Sequence, residues 1–351
     1  MPALHARLWA ARLLYRFVVL KRLQPFFHRV KRVLPILKAI FVCTVFLLAV
    51  RALRSILAGY SWKELTSYLH QLPPEQVAAA ALLALIAYFV TTGYDSIAFR
   101  HIDHDLSYGR IALAAFTAYA INNNLGMSGV VGSSLRYRYY RRWGVTKTDI
   151  VKIFVFCTVT FYLGFAMLGG IVFVVWPPVT ATSFHLPFGS VQIVGVALLF
   201  PALAYSSWIL VQRAPLRLRR WRIELPKRSI FVAQLVISMG DWVIAAAVLR
   251  AVLPTNNPVP YVTVLGTFFM AQIAGLASNV PGGLGVFEAV VLVALKPFLS
   301  PVVILGALVT FRAVYFLIPL AIALIVLGAH ELRIKLQGRA VRADGERRRG
   351  S

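Results

Sequence analysis

The amino-acid sequence predicts an all-α polytopic membrane protein with about six to eight transmembrane helices and two broken, re-entrant membrane segments. Hydrophobic residues make up 59% of the 351 residues, which is more than in an ordinary soluble domain. Several apolar runs reach the roughly 20 residues that are needed to cross the hydrocarbon core of a bilayer. Other apolar runs are interrupted by asparagine, glycine or proline before they are long enough to cross.

A transmembrane domain is predicted over residues 34–330. The preceding segment, residues 1–33, carries eight Lys and Arg residues between apolar stretches, a pattern typical of an amphipathic helix on the inner membrane surface. A basic tail follows at residues 331–351. The apolar segments of the transmembrane domain are 34–57, 76–98, 110–132, 150–176, 190–212, 229–253, 261–280, 285–299 and 301–329.

The distribution of Lys and Arg between the loops predicts the orientation of the chain. Loops 134–149 and 213–228 are rich in both residues, whereas loops 177–190 and 254–260 contain neither. Because positive residues collect on the cytoplasmic side of membrane proteins, we expect the basic loops and both termini to be cytoplasmic. This orientation accounts for the formal net charge of +25, with attraction to anionic lipids as a further consequence. No nucleic-acid partner is expected.

The first interrupted segment, residues 110–132, is predicted to have both ends on the cytoplasmic side. Alternating spans place the 99–109 loop inside, and the loop after the segment is among the most basic in the chain. Its apolar arm, Arg110–Ile121, holds about 12 residues and is too short to cross. Three asparagines and the following glycines form the predicted tip. Irregular backbone at membrane depth requires surrounding protein or water, so the break predicts a cavity.

The second interrupted segment, residues 268–298, repeats this pattern from the opposite side. It follows the uncharged loop 254–260 and is predicted to enter and leave the membrane outside. Its glycines allow turns that need positive φ angles, so we expect them to be structural. The residues of this loop are Asn279, Pro281, Gly282, Gly283 and Gly285.

The order of these features predicts an inverted repeat. Repeat 1 covers about residues 76–176 and repeat 2 about residues 229–329. In each, an apolar helix containing an aspartate, Asp95 or Asp241, ends near an arginine and is followed by a broken segment. Charge counting gives the two helices opposite directions. Paired, interrupted segments of this kind indicate a transport site near the membrane centre.

Three acidic residues lie in or beside apolar runs, namely Asp95, Asp241 and Glu288. An acid inside a membrane is costly, so a functional role with a basic partner is the first hypothesis. The alternative is an ion pair that joins two helices, and Glu288 is also placed to stabilise the start of a helix. The candidate basic partners are Arg312, Lys296, Arg136 and Arg138.

Polar side chains of the two breaks are candidates to line the cavity. Asn124 and Asn279 either face it or cap broken helices. Gln272 lies seven residues before Asn279 and shares its helix face, and Ser238 lies three residues before Asp241. The alternative is that these polar side chains hold membrane helices together.

The sequence predicts no metal, no cofactor and no catalytic residue. Cys43 and Cys157 lie in apolar runs, which argues against a disulfide framework and a cysteine metal site. The string "HIDHD" at residues 101–105 is interpreted as a solvated loop. Phosphate-binding, zinc-protease and nucleophile-elbow motifs are absent, so an enzyme is not predicted.

The strings "SNVPGGLGVFEAVV", "GSSLRYRYYRRWG" and "SMGDWVIAAAVL" resemble the lysylphosphatidylglycerol synthase membrane-domain family. This is the membrane half, or flippase domain, of the bacterial multiple peptide resistance factor and its stand-alone relatives. The resemblance covers about residues 75–330. It implies a protein of the bacterial inner membrane that moves aminoacylated phosphatidylglycerol, or a related phospholipid, between leaflets. The positions it carries over are Asp241, the 279–288 loop with Glu288, Arg312 and residues 135–138.

The expected roles follow from the headgroup that the resemblance implies. Asp241 and Glu288 are expected to meet a cationic aminoacyl group, and Arg136, Arg138 or Arg312 its phosphate. The chain has no room for the soluble aminoacyltransferase domain of the bifunctional members, so we expect transport rather than synthesis. Two alternatives stay open: a transporter of another lipid-linked or small substrate, and an accessory subunit of a membrane lipid-modifying enzyme. A homo-oligomer is a further open possibility.

Overall fold

The computed structural model describes residues 72–125, 130–177, 190–211, 216–218, 221–223, 225–256, 258–278, 281–330 and 332. Several predictions lie outside these residues. They concern the amphipathic segment 1–33, the apolar segment 34–57, Asn279 and most of the basic tail.

Helices dominate the described chain, with one short hairpin on the loop between two of them. The helices are α1 Pro74–His101, α2 Tyr108–Leu125, α3 Val130–Arg142, α4 Lys147–Val175, α5 Ser190–Val211, α6 Arg228–Ala251, α7 Tyr261–Ala277, α8 Val286–Leu295 and α9 Pro301–His330. A 3₁₀ turn, Pro281–Gly283, precedes α8, and a π-helical turn, Ala313–Leu317, interrupts α9. The strands are β1 Leu216–Leu218 and β2 Trp221–Ile223.

Five of the described helices are long and apolar enough to cross a membrane: α1, α4, α5, α6 and α9. Helices α7 and α8 are apolar but shorter. The fold class predicted from the sequence, an all-α polytopic membrane protein, is therefore confirmed. The long helices begin and end within a few residues of the predicted runs, because the length of an apolar run is itself what the bilayer requires.

Helices α1 and α6 lie antiparallel and form the centre of the bundle. Their opposite ends are joined by a hydrogen bond of 3.3 Å from Gln76 Nε2 to Thr255 Oγ1, and by an ion pair of 3.9 Å between Lys227 and Asp103. Between them, Tyr94 donates to Asp241 over 3.0 Å. The partner residue number falls as the α1 number rises, which is the pattern of two helices running in opposite directions.

Helix α4 packs against α6 through small and polar side chains. Gln234 Nε2 donates to Thr160 Oγ1 over 2.7 Å. Gly164 lies directly against Ser238, so a Cβ at this position would overlap the serine side chain and backbone. Ser238 donates to the Gln234 carbonyl in its own helix. Small residues allow this close approach of membrane helices.

Helix α2 extends further than the sequence predicts. The apolar arm was expected to end at Ile121, but α2 continues through the three asparagines to Leu125. The asparagine side chains make this possible. Asn124 Nδ2 donates to the Ala120 carbonyl over 2.8 Å, and Asn122 Oδ1 accepts from the backbone N–H of Gly132 over 2.9 Å. The asparagines therefore belong to the helix rather than to its tip.

The loop before α6 contains a small hairpin that the sequence analysis did not predict. Strands β1 and β2 pair antiparallel, with Leu216 opposite Ile223 and Leu218 opposite Trp221. The alternation of apolar and charged residues in this stretch has the period of a strand. Its many arginines hid this signal behind the charge count.

Candidate functional site

A cavity of about 750 Å³ lies within the helix bundle. Side chains or backbone from α1, α2, α4, α6, α7, the 3₁₀ turn, α8 and α9 line it. Most of the lining is aromatic. The polar side chains at its wall include Asn122, Asn123, Asp241, Gln272 and Arg312.

Asp241 is the acidic residue of the cavity wall, and it lies well inside α6. Its Oδ2 accepts a hydrogen bond of 3.0 Å from the Tyr94 hydroxyl on α1. Its Oδ1 is buried and has no hydrogen-bond partner. The residue is 7% exposed. The carboxylate is therefore fixed by a neutral donor on one oxygen and unsatisfied on the other, which is costly for an ionised group.

Arg312 forms an ion pair with Glu288. Arg312 Nε and one terminal nitrogen each lie 2.6 Å from Glu288 Oε1. Glu288 Oε2 accepts from the backbone N–H of Gly285 over 2.8 Å, which completes a capping interaction at the start of α8. One carboxylate therefore holds both the arginine of α9 and the first turn of α8, where its charge is favoured.

Arg312 also holds the 3₁₀ turn. Its terminal nitrogens lie 3.3 and 3.4 Å from the Gly282 carbonyl, and its guanidinium lies over the rings of Phe316, at 4.6 Å, and Phe287, at 5.4 Å. Stacking on rings together with a fork of hydrogen bonds suits arginine better than lysine. The side chain is thus a fixed part of the cavity wall.

The glycines of the second break shape this wall. Gly282, Gly283 and Gly285 have φ angles of 65°, 61° and 82°, which other residues rarely adopt. A Cβ on Gly283 would lie 3.3 Å from the Cα of Gly275 on α7. The turn therefore needs glycine both for its conformation and for its close packing, as predicted for a structural role.

The two broken segments meet beside the cavity. Asn124, near the end of α2, donates from Nδ2 to the Phe316 carbonyl over 3.1 Å. Its own carbonyl lies 3.5 Å from where a Cβ of Gly282 would be. Phe316 belongs to the π-helical turn of α9. One asparagine of the first break thus contacts both the glycine turn and the irregular turn of the second half.

A second ion pair, between Asp95 on α1 and Arg136 on α3, lies outside the cavity lining. One terminal nitrogen of Arg136 lies 3.0 and 3.1 Å from the two carboxylate oxygens, and the Tyr140 hydroxyl donates to Asp95 over 2.8 Å. The guanidinium lies over the rings of Tyr119, at 4.8 Å, and Phe154, at 5.2 Å. Tyr119 also lines the cavity, so its ring borders both sites.

The structure thus divides the predicted site residues. Asp241, Arg312, Gly282 and Gly283 line the cavity, as does Gln272, while Glu288 contacts Arg312. The pair formed by Asp95 and Arg136 corresponds to the alternative in which two charges join helices. Arg138 has an exposed side chain on α3, Lys296 is exposed at the end of α8, and Asn124 joins the two breaks.

The aromatic neighbours of these groups were not singled out from the sequence. Tyr94 and Tyr119 look like ordinary apolar positions in α1 and α2. The one available signal is that Tyr94 directly precedes Asp95. Within the described residues, no cluster of three or more His, Cys, Asp or Glu side chains is placed to hold a metal ion. His101 of the "HIDHD" string stacks on Phe156 at 4.9 Å.

Comparison with known proteins places this architecture in a family. The family described as "Lysylphosphatidylglycerol synthase TM region" matches residues 33–323. An uncharacterized protein of Synechocystis sp. is 35% identical over 87% of this chain and 94% of its own length. The inner membrane protein YbhN of Escherichia coli is 28% identical over 87% of this chain and 93% of its own length.

Longer relatives match over part of their length. The phosphatidylglycerol lysyltransferase of Staphylococcus haemolyticus is 25% identical over 84% of this chain, but the matched region is 34% of that enzyme. The corresponding enzyme of Bacillus subtilis gives the same identity and coverage. With its membrane helices, its two breaks and a family match over most of its length, the chain belongs to the lysylphosphatidylglycerol synthase transmembrane-region family.

Proposed function

We propose that the protein moves phospholipid headgroups between the leaflets of the bacterial inner membrane, and that its substrate is aminoacylated phosphatidylglycerol or a related lipid. The observation that carries this proposal is the cavity of about 750 Å³, whose wall contains a buried carboxylate and a guanidinium within a bundle of apolar helices. A charged headgroup cannot cross hydrocarbon unaided. A polar cavity enclosed by membrane helices gives it a path.

The family supports a lipid substrate. Relatives of this chain include phosphatidylglycerol lysyltransferases, which share the membrane region, and an inner membrane protein that matches almost end to end. The size of the cavity lies within the range of small-molecule sites. It suits a headgroup whose acyl chains stay in the surrounding lipid.

The arrangement of the breaks supports a transport site formed by two inverted repeats. Helices α1 and α6, which begin the proposed repeats, lie antiparallel, and each is followed by an interrupted segment. Asn122 and Asn123 reach the cavity from the first, and Gly282 and Gly283 from the second. In transporters with inverted repeats the substrate lies where two interrupted segments meet. We take both segments to be re-entrant for this reason.

The geometry also divides the proposed roles. Asp241, with one unpartnered oxygen, is available to a cationic group. Arg312 lines the cavity but is already paired with Glu288, so it meets a phosphate with part of its charge compensated. Arg136 and Asp95 compensate each other outside the cavity. We therefore assign them to the scaffold of the transport domain.

The experiment is headgroup exchange in liposomes that contain purified protein and fluorescent phosphatidylglycerol, with or without a lysyl group. A membrane-impermeant quencher reports the label that reaches the protected leaflet. We expect faster exchange than in protein-free liposomes, and its loss in Asp241→Asn. The matched control is Asp103→Asn, the same chemical change at an exposed residue whose φ of 49° asparagine tolerates.

Two outcomes would contradict the proposal. Exchange that persists in Asp241→Asn at the wild-type rate would remove Asp241 from the path. Absence of exchange for both lipids would favour another lipid-linked or small substrate, or the accessory role beside a lipid-modifying enzyme.

A further inference from the structure

The carboxylate of Asp241 has no compensating charge in the described part of the chain. The residue is 7% exposed, its Oδ1 is unpartnered, and its Oδ2 is bonded to the neutral hydroxyl of Tyr94. An ionised carboxylate in such surroundings costs far more than a neutral carboxyl group. A buried acid inside a membrane is therefore expected to be paired, coordinated or protonated.

The helices on one side of Asp241 add no charge that is free to compensate it. Helix α1 contributes Tyr94 and, behind it in the chain, Asp95, whose charge is taken by Arg136. Helix α2 contributes Tyr119, whose ring lies 6.0 Å from that of Tyr94. These groups are neutral or already paired.

The same holds for the other elements around α6. Helix α4 contributes Tyr162 to the cavity wall and α7 contributes Gln272, both uncharged. Helix α9 contributes Tyr315 and Arg312. The remaining neighbour, α5, places Tyr205 against the ring of Phe231 at 6.1 Å, near the start of α6.

Arg312 is the cation nearest in kind, but it is committed elsewhere. Its charge lies 2.6 Å from Glu288, and its remaining nitrogens face the Gly282 carbonyl. Glu288 in turn holds the start of α8. Removing Arg312 from this pair would leave a buried acid unpaired, so the pair is expected to persist. The cavity therefore has one uncompensated acid, Asp241.

We propose that Asp241 holds a proton when the cavity is empty and releases it when a cationic headgroup binds, so that movement of the headgroup is exchanged for a proton. This inference rests on the proposed function and adds a coupling ion to it. The O–H bond of the carboxyl group breaks, its electron pair stays on the carboxylate, and the proton leaves to water. The ammonium group of the lipid takes its place, so the charge of the site is unchanged.

This exchange avoids a buried, unpaired charge at every stage. The empty cavity contains a neutral acid, and the occupied cavity contains a carboxylate paired with an ammonium group. Either arrangement is far cheaper in a membrane than a lone ion. A lipid without a cation would find no partner for the ionised acid and would leave the proton in place.

The first test is infrared spectroscopy of the purified protein at neutral pH. We expect the carbonyl stretch of a protonated carboxyl group in the wild type and in Asp103→Asn, and its absence in Asp241→Asn. A second variant, Tyr94→Phe, keeps the acid and removes its hydrogen-bond donor. The band should then move to higher frequency, because the carbonyl loses a hydrogen bond. A wild-type spectrum without this band at neutral pH would overturn the proposal.

The second test measures the exchanged proton. Lysyl-phosphatidylglycerol is added in mixed micelles to weakly buffered protein with a pH-sensitive dye, and plain phosphatidylglycerol is the matched probe. We expect release of about one proton per bound lysyl lipid, none with plain phosphatidylglycerol, and none in Asp241→Asn. Binding of the lysyl lipid without proton release would overturn the coupling.

The two proposals fail in different ways. Lipid exchange in liposomes together with an ionised Asp241 would leave the transport function standing and remove the proton. A protonated Asp241 in a protein that exchanges neither lipid would retain the proton site and overturn the lipid transport proposed above.

Discussion

The two buried ion pairs of the protein contain the same chemical groups in different surroundings. In the pair of Asp95 and Arg136 the side chains are 0% and 7% exposed, and two aromatic rings cover the guanidinium. In the pair of Glu288 and Arg312 the arginine side chain is 15% exposed and lines the cavity. One pair is sealed inside protein, whereas the other borders the proposed transport site.

The placement of the charges is also reversed. The first pair has its acid on the long helix α1 and its arginine on α3, which follows the first break. The second has its acid on α8, after the second break, and its arginine on the long helix α9. Both pairs therefore fasten a broken segment to a long helix. What distinguishes them is whether the arginine also reaches the cavity.

The largest expected effect is on the sealed pair. Replacing Arg136 by methionine leaves Asp95 buried and without its cation, so we expect the free energy of unfolding to fall by about 3–5 kcal/mol. Chemical unfolding in mixed micelles measures this. The double variant Arg136→Met with Asp95→Leu should recover most of the loss, since neither charge remains. A single variant as stable as the wild type would show that Asp95 is not held by Arg136.

A smaller loss is expected at the cavity pair. In Arg312→Met, Glu288 keeps its bond to the Gly285 N–H, and water in the cavity can replace part of the lost interaction. We expect the free energy of unfolding to fall by about 1–3 kcal/mol, together with loss of lipid exchange. If this variant were less stable than Arg136→Met, the proposed difference between sealed and open pairs would be wrong.

The glycine turn should respond to a single methyl group. Gly283→Ala adds a Cβ close to Gly275 at a φ of 61°, so we expect a loss of about 1–2 kcal/mol in unfolding free energy. Gly240→Ala in α6 is the matched control, because its Cβ would meet nothing within 4 Å. It should be neutral or slightly stabilising. Equal destabilisation by both variants would contradict the role of the turn conformation.

The smallest expected effect is at the contact between the two breaks. Asn124→Ala removes the hydrogen bond to the Phe316 carbonyl, and we expect a loss of about 0.5–1.5 kcal/mol. Asn123→Ala is the control, since its amide makes one longer bond of 3.4 Å, to the Tyr88 hydroxyl. The same unfolding measurement applies. A larger effect at Asn123 than at Asn124 would argue against a fastening role for Asn124.

Much of the fold could be predicted because it depends on local composition. A run of apolar residues long enough to cross the bilayer must form a helix, since hydrocarbon offers no other partner for the backbone. The positions of α1, α4, α5, α6 and α9 follow from this requirement. The course of α2 through its asparagines does not, because their partners include Gly132 and Phe316, which lie elsewhere in the chain.

The candidate site was predictable in its residue types and not in its pairings. An acid in an apolar run is unusual enough to be noticed, so Asp241, Asp95 and Glu288 were identified from the sequence. Which arginine meets which acid depends on how helices pack. The partners are 41 residues apart in one pair and 24 in the other. Tyr94 gave no signal, because a tyrosine in a membrane helix is ordinary until its partner is known.

The π-helical turn Ala313–Leu317 acts as one additional residue inserted in α9. A regular helix advances about 100° per residue. Deleting one residue from this turn would therefore rotate the stretch from Ile318 to His330 by about 100° relative to Arg312, and its lipid-facing and protein-facing sides would change places. The number of residues between Arg312 and the end of the helix is consequently as constrained as their identity. This spacing is a length requirement that substitutions alone would never reveal.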